Sequence, residues 1–155
     1  MNRFEMVQIL SGFVGSLGFA VLFNIRGKRL MVAALGGFLS WTLFLLLSRY
    51  IASDPVNYFV VAFALSIYAE AMARVLKTPT TTFITISLIP LIPGGSLYYT
   101  MAYAFESDMA KFLEKAIYTL QLAAALALGI ILATTLTTMF FHLMTEVKER
   151  TGTAK

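Results

Sequence analysis

Residues 77–100, KTPTTTFITISLIPLIPGGSLYYT, are apolar enough to sit in a bilayer, yet carry Pro79, Pro90, Pro93 and the Gly94-Gly95 pair. Proline removes a backbone donor and clashes with the preceding turn, and glycine opens conformations that other residues avoid. In hydrocarbon, every backbone group freed in this way has to find a partner in protein or in a water-lined cavity. A helix broken at membrane depth is therefore either a packing kink or part of a solute path. The rest of the chain has to be consistent with one of the two.

The flanking sequence places this stretch in a polytopic membrane protein. Of the 155 residues, 59% are hydrophobic and 13% charged, where a soluble domain would carry about 25% charged residues. The expected fold is all-α, with about five transmembrane helices over residues 4–23, 30–47, 56–76, 80–105 and 116–144, each near or above the ~20 residues that cross a bilayer. The fourth is broken at the Pro/Gly motif. Residues 1–145 read as one transmembrane domain and 146–155 as a polar cytoplasmic tail. The N-terminus does not read as a signal peptide, because Glu5 and Gln8 interrupt its apolar run.

The sequence lacks cysteine, which excludes disulfides, thiolate metal sites and cysteine nucleophiles. A single histidine cannot supply both a catalytic triad and a metal site, and no phosphate loop is present. An enzyme, a cofactor and a metal are accordingly not expected. The net charge of +4 collects in loops, as topology requires, and not on a nucleic-acid-binding face.

Within the first span Gly12, Gly15 and Gly18 recur beside Ser11 and Ser16, predicting a close-packed helix face. Gly36, Gly37 and Ser40 predict a second small-residue contact, near Trp41. In the third span Glu70 and Arg74 are four residues apart and share one helix face. If Lys77 marks the interface, Glu70 lies roughly 10 Å deep, at 1.5 Å rise per residue. An acid at that depth usually faces the bundle interior or a water-filled cavity. The alternative is an ion pair that snorkels to the surface and sets helix depth.

In the fourth span, Pro90 and Pro93 are expected to open the helix and Gly94-Gly95 to allow an unwound turn. Ser96 would then cap a second half-helix carrying Tyr98, Tyr99, Thr100 and Tyr103. Free N–H groups at such a start favour an anion such as a carboxylate. Residues 106–115 read as a mixed-charge loop. Threonines 134, 135, 137 and 138 are expected to bond their own helix or a neighbour, and His142 to sit solvated at the membrane exit. Five spans put Arg26, Lys28, Arg29, Arg74, Lys77, Lys148, Arg150 and Lys155 on one side. Arg3, Arg49, Lys111 and Lys115 fall on the other. That bias predicts the N-terminus outside and the C-terminus in the cytoplasm.

The run EAMARVLKTP, residues 70–79, followed by IPLIPG, residues 89–94, resembles the signature of the threonine/serine exporter family. Residues 18–41, GFAVLFNIRGKRLMVAALGGFLSW, resemble that family's first hairpin. The chain most resembles the small membrane subunit of the split, two-chain exporters. The resemblance implies a prokaryotic cell (inner) membrane and a larger membrane subunit of the same family as partner. It also implies a small carboxylate-bearing substrate, either threonine and serine or a dicarboxylate such as succinate. The resemblance supplies no list of binding residues; from the broken helix and the ion pair themselves, Pro93, Gly94, Gly95, Ser96 and Tyr98 are expected to face the substrate, and Glu70 with Arg74 to be the coupling or gating pair. Two alternatives remain: a scaffolding subunit whose partner holds the pathway, and a channel. A homo-oligomer is a further expected assembly.

Overall fold

The computed structural model describes the backbone of residues 2–152 and the side chains of residues 2–144. Six α-helices follow one another: α1 Arg3–Leu22, α2 Lys28–Leu47, α3 Asp54–Val75, α4 Thr80–Leu88, α5 Gly94–Phe105 and α6 Met109–Gly152. A 3-10 turn, Ile89–Leu91, links α4 to α5, and no strand occurs among the described residues. The protein is an all-α polytopic membrane protein. The helices α1, α2, α3 and residues 109–144 of α6 are each long and apolar enough to span a bilayer, and α4 with α5 forms a pair bent by 58°.

The sequence accounts for most helix ends. The Asn2 backbone N–H donates to the Glu5 carboxylate at 3.0 Å, part of a capping box that starts α1. Pro55 lies in the first turn of α3, where its missing N–H costs nothing. Helices α1, α3 and α5 each stop on a left-handed residue: Asn24, Lys77 and Ser107. At each stop two backbone bonds close the last turn, as in Thr78 N–H to Ala73 and Lys77 N–H to Arg74.

The bundle is inside-out relative to a soluble protein. Its outer faces carry Leu10, Val14, Leu120, Leu128 and Phe140, all more than half exposed, while Ser16, Ser40, Asn57, Ser66 and Ser87 are fully buried. Helix α4 fills the crevice among α1, α2 and α3, and α6 lies along α3. Phe83, Ile86, Leu88 and Leu91 are the buried plug that α4 and its turn contribute. By contrast, α5 packs chiefly on α6.

Two contacts fix how the chain crosses. At the start of α3, Asp54 accepts a hydrogen bond from the Tyr118 hydroxyl of α6. At its end, the Arg74 guanidinium lies 3.7 Å over the centre of the Phe141 ring. Helices α3 and α6 therefore run parallel, and the chain between them has to return from one end of the bundle to the other. The bent α4–α5 pair makes that return, so it crosses instead of re-entering on the same side.

Three local expectations are corrected. Helix α6 begins at Met109 and not near residue 116, leaving a turn of only residues 106–108. Asp108 causes this: its side chain accepts the Lys111 N–H at 3.1 Å and pairs with the Lys111 ammonium at 2.8 Å. Along α1, only Gly12 meets a neighbour; a side chain at Gly15 or Gly18 would meet open space. Steps of three residues drift around a helix of 3.6 per turn, so the packed stripe is instead Ile9, Ser16 and Ala20. Ser96 does not cap α5, which starts two residues earlier after Pro93. The expected polar tail, 146–155, is helical to Gly152; its side chains and residues 153–155 lie outside the described residues.

Candidate functional site

The break has a closed side and an open side. Pro90 has no N–H to give to the Ile86 carbonyl four residues back. The Ser16 hydroxyl of α1 donates to that carbonyl instead, at 3.3 Å. Ser16 reaches it because α2 offers only Gly37 there: a side chain at Gly37 would overlap Ser16, and one at Gly36 would overlap Ser87. Pro93 likewise leaves Ile89 without its helical donor, and the Ile92 N–H takes that carbonyl at 3.2 Å. The small-residue patch at Gly36, Gly37 and Ser40 is thus the seat on which α4 and the break rest.

On the open side, Ile92 adopts an extended conformation and Pro93 caps α5. The unwinding falls on Ile92-Pro93, and the two glycines are already the first helical residues. Neither would bring an added side chain within 4 Å of a neighbour. The N–H groups of Gly95 and Ser96 meet no acceptor among the described residues. Tyr98 is 69% exposed and packs edge-on against Tyr99. What holds α5 in place is α6: the hydroxyls of Thr100 and Thr119 lie 3.2 Å apart, one donating to the other while the second donates within its own helix.

Glu70 and Arg74 occupy a different place, at the end of α3 beside the basic turns. Glu70 is only 8% exposed. Its carboxylate is 3.4 Å from the Arg74 guanidinium, longer than the ~2.7–2.9 Å of a good charge-assisted bond. A hollow opens beside them, lined also by Lys77, Thr78 and Thr80. No residue of the 93–98 stretch lines it. Two candidate groups read from the sequence are therefore present as separate features, one at the break and one at the basic end. His142 is exposed, one residue beyond Phe141 on α6. Thr134 and Thr137 donate to their own helix, to Ile130 and Ala133. At the opposite end, the ammonium of Lys111 holds the Asp108 carboxyl below its ordinary value.

Sequence reasoning missed Ser16 as the donor that closes the break. Half of the signal was legible, since Pro90 necessarily orphans the carbonyl of residue 86. The donor lies 70 positions away, a separation no local pattern spans.

Residues 8–136 match the family model described as Threonine/Serine exporter, ThrE. The chain belongs to the threonine/serine exporter family. The matched stretch contains α1 from Gln8, all of α2 to α5, α6 as far as Leu136, both proline sites of the break and the Glu70–Arg74 pair. No curated protein and no solved structure matches the chain. This exporter-type membrane protein thus holds its break and its ion pair within the part that defines the family.

Proposed function

We propose that the chain is the small membrane subunit of a two-chain secondary exporter, moving threonine and serine outward and depending on a larger membrane subunit of the same family. Dicarboxylates such as succinate are the second substrate class. The observation that carries this reading is the asymmetry of the break: one side is sealed by Ser16 and Gly37, and the other leaves glycine backbone and free N–H groups open. In hydrocarbon a free N–H is costly, so that face needs a solute or a partner against it.

On this reading Pro93, Gly94, Gly95 and Ser96 receive the substrate carboxylate, with Tyr98 beside them. The start of α5 favours negative charge there through its dipole. Broken helices serve the same role in many secondary transporters. Glu70 is the coupling or gating acid and Arg74 its partner. The chain carries out no chemistry on its solute, and neither a cofactor nor a metal enters. The protein lies in the prokaryotic cell (inner) membrane with its N-terminus outside, since the α1–α2 turn with the start of α2 and the α3–α4 turn concentrate cations at one end.

Reconstitution into vesicles, with and without the larger subunit, tests the reading. Threonine efflux is expected only with both chains present. Efflux by the partner alone would leave this chain a scaffold, and gradient-independent flux of many solutes would make it a channel.

A further inference from the structure

The hollow at the basic end is not assigned a ligand by the reading above. Its volume is about 370 Å³, lined by Glu70, Arg74, Lys77, Thr78 and Thr80. One water occupies about 30 Å³ of liquid, so the space holds a small amino acid with part of its hydration.

Three observations separate this hollow from a packing remnant. Glu70 is nearly buried, yet its contact with Arg74 is long, and an ionised carboxylate at that depth calls for closer partners. Arg74 is seated independently, with its guanidinium over the Phe141 ring, so it keeps its place if Glu70 turns to another cation. Lys77 stands in the left-handed position that closes α3, at φ 48°, where glycine is commonest. The chain thus keeps a cation at the rim at some conformational cost.

One buried acid and two cations around an open hollow match a solute that carries both charges. A dicarboxylate would bring its second negative charge against Glu70. We propose that this hollow is a loading site for a zwitterionic α-amino acid, with the ammonium taken by Glu70 and the carboxylate by Lys77 and Arg74. Loading exchanges the Arg74 partner of Glu70 for the ammonium of the solute. The inference rests on the exporter reading and deepens it: the solute meets a charge-selecting station before it reaches the break. Between the two substrate classes, the site selects amino acids.

Binding of radiolabelled L-threonine to the purified full chain in lipid nanodiscs tests this, with four unlabelled competitors. These are L-threonine, 3-hydroxybutyrate (no ammonium), L-threonine methyl ester (no carboxylate charge) and succinate. The last three are expected to compete at least tenfold more weakly than L-threonine, a comparison that needs no variant to fold. Glu70→Gln is expected to weaken L-threonine binding at least tenfold and to erase its advantage over 3-hydroxybutyrate, and Lys77→Gln its advantage over the ester. Succinate competing as well as L-threonine would overturn the proposal. So would L-threonine affinity unchanged in both variants. If binding survives both variants but is lost in Gly94→Leu, the loading site falls and the exporter reading stands. If the wild-type chain binds no L-threonine, the loading site falls, and the exporter reading is decided separately by efflux from vesicles carrying both chains.

Discussion

The two halves of the broken span have opposite surroundings. Helix α4 is wedged among three helices, with Phe83, Ile86 and the adjoining Leu91 almost without exposure. Helix α5, of similar length and apolarity, buries only Thr100 and leans chiefly on α6. The backbone groups freed by Pro90 and Pro93 near Ile86 and Ile89 are satisfied, and the Gly94 N–H turns back to the Ile92 carbonyl, while the N–H groups of Gly95 and Ser96 meet no acceptor among the described residues. One break therefore serves two ends. Toward α1 and α2 it is a packing joint, and on the proposed reading its open face presents backbone to a solute. A kink made for packing alone would be closed on both sides.

The largest expected effect tests the joint. Gly37→Leu would drive a side chain into Ser16 and unseat the break, so it should destabilise the protein by about 3 kcal/mol, at the upper end for overpacking. Gly94→Leu meets nothing and should stay within about 0.5 kcal/mol of wild type, as open sites do. Thermal unfolding in detergent compares the two; equal losses would erase the distinction between the closed and open sides.

Next in size is the mobility that the single main neighbour gives α5. Because the chain has no cysteine, a Thr100→Cys/Thr119→Cys pair would be its only disulfide, at positions whose hydroxyls are 3.2 Å apart. Oxidation should lower threonine efflux at least tenfold, and reduction should restore it. Full efflux in the crosslinked protein would mean that α5 stays on α6 throughout the cycle.

Glu70→Gln should lower efflux several-fold while insertion and accumulation stay normal, as measured by efflux per amount of protein. Unchanged efflux would leave Glu70 a depth-setting residue only. The smallest effect falls on the closed side. Ser16→Ala removes the donor to Ile86 and should cost about 1 kcal/mol, near the usual worth of such bonds between membrane helices, with efflux intact. Lost efflux at wild-type stability would place Ser16 on the solute path.

Much of this arrangement was legible in the sequence because the bilayer permits so few solutions. Apolar runs of span length, separated by charged turns, leave an all-α bundle as the outcome. Pro90 and Pro93 announced the break, and the four-residue spacing of Glu70 and Arg74 announced their contact. The position of the unwinding was not legible: the glycine pair looked like the flexible element, but Pro93 caps the helix and the glycines sit inside it. The start of α6 was hidden because a helix N-cap such as Asp108 looks the same as a loop acid inside a mixed-charge run. Nor does spacing reveal that the Glu70 hollow and the break are apart, since that depends on how α4 is wedged among α1, α2 and α3.

The central claim is that the open side of the break faces the transported solute. Threonine efflux from cells or vesicles carrying Gly94→Leu, normalised to the amount of inserted protein, tests it most directly. The account predicts efflux near background with the protein folded and abundant. Wild-type efflux in that variant would contradict it and reduce the break to a bend between two packed helices.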